Sequence, residues 1–254
     1  MSYQPRVVDA EFAAALDAVG AVLIEGPKAC GKTETARQAA RSEVRLDVDE
    51  EARLAAATDP ALVLPGEAPR LIDEWQLEPA LWNHVRRAVD DRQSSGQFIL
   101  TGSAVPPDDA TRHSGAGRFS RLRMRPMTLS EAGHSTGAIS FRSLLAGESV
   151  EAGDTGHTVE RIAELVTIGG WPDNLDRSVE QAQRLVRGYV DQVARTDVQR
   201  VDGVRRDPET VSRLLRSLAR NVATPTSINS LRDDVSVADG NMKSETVSSY
   251  LRSL

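Results

Sequence analysis

The chain has 254 residues, of which 40% are hydrophobic and 27% charged, and its formal net charge is −6. This composition predicts a globular protein with one large or two modest cores, and the acidic balance argues against nonspecific nucleic-acid binding by the whole surface. The single cysteine excludes a disulfide framework and a cysteine-rich zinc site, and it suits a reducing cytoplasm. No apolar run reaches membrane-spanning length and the N-terminus lacks the apolar core of a signal peptide, so we expect no membrane partner.

The first informative stretch is an apolar run that leads into a glycine-rich segment. Residues 21–24 are apolar and partly β-branched, as in a strand buried on both faces. Residues 26–33 then read GPKACGKT, which fits the phosphate-loop pattern G-x-x-x-x-G-K-[ST], and residues 34–41 favour a helix. In this pattern backbone amides face an anion and the helix adds its positive end. An ordinary glycine-rich turn is the alternative, but the flanking strand and helix favour nucleotide binding.

Individual loop residues have distinct predicted roles. The predicted nucleotide contacts are Gly26, Pro27, Lys28, Ala29, Cys30, Gly31, Lys32 and Thr33. Lys32 can reach the β- and γ-phosphates, and the Thr33 hydroxyl can ligate Mg²⁺. Cys30 is predicted to be a tolerated small side chain; the alternative is that nearby phosphate-binding amides depress the pKa of its thiol.

Further strands are predicted downstream. Residues 43–47 read as a short strand, residues 70–76 run from apolar residues into two carboxylates, and residues 97–100 form a strand that leads into Thr101-Gly102-Ser103. Because helical patterns separate these strands, the sequence predicts an α/β fold with a mostly parallel sheet sandwiched by helices. In such a sheet ligands bind at the carboxyl ends of the strands, where these polar residues fall.

Two adjacent carboxylates are the candidate metal-binding and water-activating groups. Asp73 would hold Mg²⁺, and Glu74 would act as general base on an attacking water. The alternative is an acidic N-cap for the helix that follows. Thr101 and Ser103 are placed to hydrogen-bond the γ-phosphate or the water, unless they form only a polar turn.

Arginines cluster after a loop over residues 104–117 that is rich in Pro, Asp, Ser and Gly. Arg118 is the candidate to neutralise charge in the transition state, in cis or from a neighbouring subunit. The alternatives are Arg112, Arg121, Arg123 and Arg125. In a strand over residues 119–125 the last three of these share one face, which is equally typical of a solvated edge that blocks aggregation. The four histidines are scattered without the spacing of a metal site.

The combination of GPKACGKT, LIDEWQ and FILTGSA resembles the AAA-type P-loop ATPases of bacteria and archaea. That resemblance implies an ATPase core followed by a small helical lid, a winged-helix segment and a nuclease-like C-terminal domain. It identifies residues 26–33 with the Walker A loop, Asp73 and Glu74 with the Walker B pair, and residues 101–103 with the sensor turn. The short motifs Gly117-Arg118 and Gly169-Gly170-Trp171-Pro172 also match, although a helix cap followed by a turn explains the second equally well.

The resemblance implies a core over residues 1–130, a helical lid over 131–205 and a helix-turn-helix segment over 206–254. In the last segment the pattern predicts three helices without the strands of a wing. Members of the family usually continue well past this length, so the end at Leu254 leaves two alternatives: the chain is truncated, or the protein has lost the C-terminal domain. DNA contact through residues 207–254 is one alternative for this segment and protein docking is the other, since the last helix has only Lys243 and Arg252 as cations.

Together these features predict a cytoplasmic ATPase that binds ATP and Mg²⁺ and uses hydrolysis as a conformational switch. One alternative is a nucleotide-dependent DNA- or protein-binding module with little turnover. A less favoured one is a small-molecule P-loop kinase, since Glu74 beside Asp73 suits activation of water better than of a substrate hydroxyl. A protein partner or a homo-oligomer is compatible with each of these functions. The chain has no N-K-x-D guanine signature, which disfavours a GTPase.

Overall fold

In a computed structural model, which describes residues 3–102, 115–151, 153–198, 206–239 and 243–253, the chain divides into two units, residues 1–179 and residues 180–254. The phosphate-loop segment and both carboxylates belong to the first unit. Ser103 and Arg112 lie outside the described residues.

A parallel sheet of five strands forms the centre of the first unit. The strands are β1 (Ala21–Glu25), β2 (Ser42–Arg45), β3 (Arg70–Asp73), β4 (Phe98–Gly102) and β5 (Phe119–Arg123). Their order across the sheet is β2-β3-β4-β1-β5, and each neighbouring pair runs parallel. The predicted α/β fold with a parallel sheet is confirmed.

The side chains of β1 alternate between two cores, which explains why the strand is apolar at successive positions. Ala21 and Leu23 belong to the core on one face of the sheet. Val22 and Ile24 belong to the core on the other face, and all four side chains are fully buried. Successive residues of a strand point to opposite faces, so a strand covered on both sides needs an unbroken apolar run.

Helices cover both faces of this sheet. On one face lie α1 (Asp9–Ala18) and α2 (Lys32–Arg37), which share the core of Val22. On the other lie α3 (Glu50–Thr58) and α4 (Leu81–Arg92), with short 3-10 helices at Pro60–Val63 and Trp75–Leu77. The helix after the phosphate loop begins and ends earlier than the predicted 34–41, because its first turn starts directly at the loop's final glycine.

After the sheet, the chain contains α5 (Phe141–Leu145), α6 (Val159–Ile168) and a 3-10 helix at Pro172–Asn174. The segment that follows α6 returns to the sheet region. The Met127 amide donates to the Gly170 carbonyl at 2.6 Å, and Trp171 packs against the core that contains Val22. The glycine-rich motif at residues 169–172 therefore lies beside the end of β5.

The second unit is helical over its described residues. From the boundary onward come α7 (Val179–Gln192), which continues as a π-helical turn (Val193–Asp197), α8 (Pro208–Arg220), α9 (Ile228–Asp239) and α10 (Ser244–Ser253). The last three helices pack around Leu214, Leu231, Val235 and Val247. The division into segments 1–130, 131–205 and 206–254 and the helix-turn-helix identity of the last segment remain predictions. Within the described ranges, no helix has both the length and the apolar character needed to cross a bilayer.

Gly170 offers a test of the packing beside β5. A Cβ at this position would lie less than 3.0 Å from the backbone oxygen and nitrogen of Met127, which cannot rotate away. We expect Gly170→Ala to lower the free energy of unfolding by about 1–3 kcal/mol, the usual cost of overpacking. Urea unfolding followed by circular dichroism measures it.

The matched control is Gly153→Ala in the same unit, where a Cβ meets nothing within 4 Å. That substitution is expected to change stability by less than about 0.5 kcal/mol. Equal stability of the two variants would contradict the close approach at Gly170.

Candidate functional site

The phosphate-loop segment connects the carboxyl end of β1 to the start of α2. Each of its two glycines is required for a different structural reason. A Cβ on Gly26 would lie less than 3.0 Å from the Met124 carbonyl oxygen, so the backbones of the loop and of the chain just after β5 approach closely only with glycine there. Gly31 has a φ of 100° and is the N-cap residue of α2. Left-handed backbone of this kind carries little cost only for glycine. The helix therefore begins at the point where its first amides face the loop.

Lys32 folds back over the loop. Its Nζ donates to the carbonyl oxygens of Gly26 and Pro27, each at 2.9 Å, and the residue is 6% exposed. Burial lowers the pKa of the Lys32 ammonium, while the nearby Glu74 and Asp73 carboxylates act in the opposite direction. The ammonium thus lies within reach of the concave side of the loop, where a phosphate would be held.

Asp73 joins three elements at the carboxyl edge of the sheet. The Thr33 hydroxyl donates to its Oδ1 at 2.9 Å, and the Thr101 hydroxyl donates to the same oxygen. The register pairs Asp73 with Thr101 across β3 and β4, which explains the second contact. Asp73 is 3% exposed, and Arg45 Nε lies 3.9 Å from its Oδ2.

The Thr33 hydroxyl oxygen and Asp73 Oδ1 have a separation that is compatible with two adjacent ligands of one magnesium ion. Adjacent ligands on an octahedral Mg²⁺, with Mg–O distances of about 2.1 Å, lie about 3.0 Å apart. The Thr33 hydroxyl and the Asp73 carboxylate are separated by 2.9 Å. Among the described residues, no cluster of three His, Cys, Asp or Glu side chains could hold a metal ion. That is compatible with Mg²⁺, which binds through few protein ligands and keeps its waters and substrate oxygens.

Glu74 follows directly on β3 in left-handed backbone, with φ 57° and ψ 41°. This conformation is costly for a residue with a Cβ and is concentrated at functional sites. Its carboxylate accepts a hydrogen bond from Gln76 Nε2. Burial raises the pKa of Glu74, and the neighbouring Asp73 charge raises it further, against the opposing effects of Gln76 and Lys32.

Gln76 is a site residue that the sequence reasoning missed. Its Oε1 is buried without a hydrogen-bond partner among the described residues. A Cβ on Gly102 would lie less than 3.0 Å from that oxygen, so the glycine after Thr101 leaves the space that the amide occupies. The signal available in the sequence was the glycine at the end of a buried strand, which marks a close approach.

The comparisons with known proteins agree with this geometry. Residues 19–133 match a family described as an AAA domain, and residues 159–254 match a domain of unknown function, DUF8612. The fold resembles that of the Walker-type ATPase PABY2304 of Pyrococcus abyssi, with a TM-score of 0.59 and 12% sequence identity, over 99% of this chain and 89% of that chain. The AAA-domain match covers the part of the chain that contains the phosphate loop and both carboxylates.

The chain is also similar in sequence to two mycobacterial proteins. The chain is 30% identical over 139 residues to the uncharacterised proteins Rv2008c of Mycobacterium tuberculosis and Mb2031c of Mycobacterium bovis. The alignment covers 53% of this chain and 32% of each relative, so the chain spans about a third of the length of these proteins.

Arg118 does not lie at the Walker edge, by which we mean the carboxyl edge of the sheet, where the phosphate loop and the two carboxylates lie. It precedes β5, where its carbonyl accepts from the Ala21 amide at 3.0 Å, and its Nε donates to Asp90 Oδ1 in α4 at 2.7 Å. Ala21 begins β1 and the phosphate loop follows the other end of that strand, about 13 Å away at 3.3 Å per residue. The fold therefore does not bring Arg118 to the loop of its own chain.

The later arginines lie on the exposed side of an edge strand. Arg121 pairs with Glu25 Oε1 at 3.0 Å, and Arg123 is level with Glu25 in the register. Leu122 and Met124, which alternate with Arg121, Arg123 and Arg125, are buried. The alternating pattern over residues 121–125 thus separates a solvated face from a core face, and β5 is an outer strand of the sheet.

The remaining loop residues differ in exposure. Pro27 and Lys28 are half-buried, whereas Ala29 is exposed and has a φ of 59°. Cys30 is fully buried in the core that contains Val22. Burial raises the pKa of its thiol, outweighing the nearby Lys32 and Arg6 charges that lower it. The depressed pKa that the loop position suggested for Cys30 is therefore wrong.

A buried thiol with a raised pKa should react slowly. We expect the native chain to react with a thiol-specific disulfide reagent at least about tenfold more slowly than the same chain in denaturing urea, because both access and thiolate population are reduced. Absorbance of the released thiolate measures the rate. Equal rates in the two states would contradict the buried position of Cys30.

Proposed function

We propose that this protein binds ATP with Mg²⁺ at the Walker loop and hydrolyses it with Glu74 as general base. The observation that carries the proposal is the convergence of Lys32, Thr33, Asp73 and Glu74 at one edge of the sheet. The Thr33–Asp73 contact of 2.9 Å joins the loop to the strand that ends in the carboxylates. This arrangement supports phosphoryl transfer by positioning and electrostatic stabilisation.

The loop and Lys32 would hold the phosphates. Amides at the start of α2 have no partners within the helix and so are available to an anion. The Lys32 ammonium donates to two carbonyls of its own loop, Gly26 and Pro27. Phosphate oxygens are stronger acceptors for an ammonium than these carbonyls. We infer that Lys32 turns from the loop carbonyls to the β- and γ-phosphates when nucleotide binds.

Thr33 and Asp73 would hold the metal. When bound there, Mg²⁺ would supply positive charge to the phosphate oxygens. The Thr101 hydroxyl keeps Asp73 oriented from the neighbouring strand. For Ser103, two residues after Thr101 in the sequence, we propose a hydrogen bond to the γ-phosphate or to the attacking water.

Glu74 would take the proton from the attacking water. A carboxylate with a raised pKa is a stronger base than an ordinary glutamate, which suits proton abstraction near neutral pH. The Gln76 amide fixes one carboxylate oxygen and leaves the other for the water.

Arg118 of one copy of the chain would act at the phosphate loop of another copy. Because it lies at the amino edge of its own sheet, a role in stabilising transition-state charge requires a neighbouring subunit. Its side chain is 43% exposed and pairs with Asp90, so it is accessible from outside the domain. A homo-oligomer in which one copy's amino edge meets another's Walker edge is part of the proposal.

The second unit would use the energy of hydrolysis. We propose that it acts as the moving part of a conformational switch. DNA contact through residues 207–254 remains a prediction; the helix α10 is preceded by Lys243 and carries Arg252, with Glu245 in its first turn.

Replacement of Glu74 tests the proposed chemistry. Glu74→Gln keeps the size and the polarity of the side chain but removes the base, so we expect ATP turnover to fall by about 10²- to 10⁴-fold. Nucleotide affinity should be unchanged, because the loop and the metal ligands are intact. Phosphate release measures turnover, and calorimetry measures affinity.

The control is Glu78→Gln, four residues further along the chain. Glu78 pairs with Arg53 in α3 at 3.6 Å. Its turnover should match that of the wild type. Unchanged turnover in Glu74→Gln, or an equal loss in both variants, would contradict the general-base role.

A further inference from the structure

Beneath the Walker loop lies a buried guanidinium that the proposed chemistry does not use. The Arg6 side chain is 5% exposed and donates three hydrogen bonds to distant parts of the chain. Nη1 reaches the Cys30 carbonyl at 2.8 Å, Nη2 the Arg125 carbonyl at 2.7 Å, and Nε the Glu131 carboxylate at 3.0 Å. One side chain therefore links the N-terminal segment, the loop and the chain after β5.

Glu131 is built into the same cluster. Its side chain is 7% exposed, and it also accepts from the amides of Val7 at 2.7 Å and Thr128 at 2.6 Å. Burial alone would raise the pKa of Glu131, but these amides and Arg6 outweigh it and lower the pKa. The carboxylate is thus held charged opposite Arg6, and a buried pair of this kind is satisfied only in one geometry.

The Arg6 contact fixes the direction of a loop amide. Cys30 is the residue before Gly31, so the Cys30 carbonyl and the Gly31 N–H belong to one planar trans peptide and point in opposite directions. Because Arg6 draws the carbonyl towards the Glu131 cluster, the Gly31 N–H points away from it. Gly31 also allows the guanidinium to approach: a Cβ there would lie 3.2 Å from Arg6 Nη1.

We propose that Arg6 is a positioning residue for the phosphate-binding loop: by holding the Cys30 carbonyl against the Glu131 cluster, it aims the Gly31 amide at a nucleotide phosphate. This inference rests on the proposed function, since it assigns the residue that orients the same loop. A role confined to stability would also use these contacts. A positioning role and a purely stabilising role differ in one consequence: only the positioning role requires that loss of the Arg6 contacts weakens nucleotide binding by the folded protein.

The test compares Arg6→Lys with Arg70→Lys. Lysine keeps the charge, but its single nitrogen cannot reach two carbonyls and a carboxylate together. Arg70 is a matched control because its Nε donates to the Val63 carbonyl at 2.8 Å and its Nη1 to Ser42 Oγ at 3.1 Å, at the amino edge of β3 away from the loop. Both variants lose arginine-to-backbone contacts, but only Arg6→Lys disturbs the loop.

We expect Arg6→Lys to bind ADP about tenfold to a hundredfold more weakly than the wild type, the range for one hydrogen bond to a charged group. KM for ATP should rise by a similar factor, while kcat changes by less than about threefold because Asp73 and Glu74 are intact. Arg70→Lys should keep the wild-type Kd even where its melting temperature falls. Calorimetry at 10 °C, with circular dichroism to verify folding, measures affinity.

Glu131→Gln provides a second route to the same result. It leaves Arg6 in place but removes the charge that anchors it, so ADP affinity should fall in the same direction. The double variant should bind no more weakly than Arg6→Lys alone, because both substitutions release one contact. Wild-type Kd and KM in folded Arg6→Lys and Glu131→Gln would overturn the inference alone. If the wild type bound ADP no better than the Lys32→Ala variant does, and neither bound it measurably, the proposed function would be overturned and this inference with it.

Discussion

A single buried carboxylate, Asp73, holds the candidate site together. It receives hydroxyl hydrogen bonds from the helix after the loop, through Thr33, and from the neighbouring strand, through Thr101. A carboxylate that is 3% exposed is stable only with such partners. The three elements are therefore fixed relative to one another at the place where the loop, the candidate metal ligands and Glu74 converge. Loss of this contact would separate the loop from the strand that leads into Glu74.

Arg6 supplies the matching constraint from below the loop. Asp73 ties the start of α2 to β3, and Arg6 ties the residue before Gly31 to Glu131. The loop is thus held at both sides of its final glycine. The two sets of contacts differ in kind. Asp73 accepts hydrogen bonds from two neutral hydroxyls, whereas Arg6 forms a buried ion pair through the forked donors of its guanidinium. Both restrict the loop to one geometry, which is what preorganised phosphate binding requires.

The sheet could be predicted because each strand has a local signature. The apolar residues of β1 and the alternation of Arg with Leu122 and Met124 at the end of β5 and just after it follow directly from the period of two in strands. The loop was predictable because its glycines and Lys32 occur at fixed spacing. The contacts that orient the site were not predictable, because they join residues far apart in the chain: Arg6 and Glu131 are separated by 125 positions. Arg118 shows the same limit, since its motif gave no information on which edge of the sheet it would occupy.

Phosphate recognition by the loop is the property on which the proposed function depends most directly. Calorimetric titration of the chain with ATP, ADP and AMP in the presence of Mg²⁺ measures it. If the loop amides and Lys32 bind the β-phosphate, ADP and ATP should bind at least about a hundredfold more tightly than AMP. One or two charge-assisted hydrogen bonds are enough to produce a difference in affinity of this size. Equal affinity for AMP and ADP, or no binding of any of the three, would contradict the account.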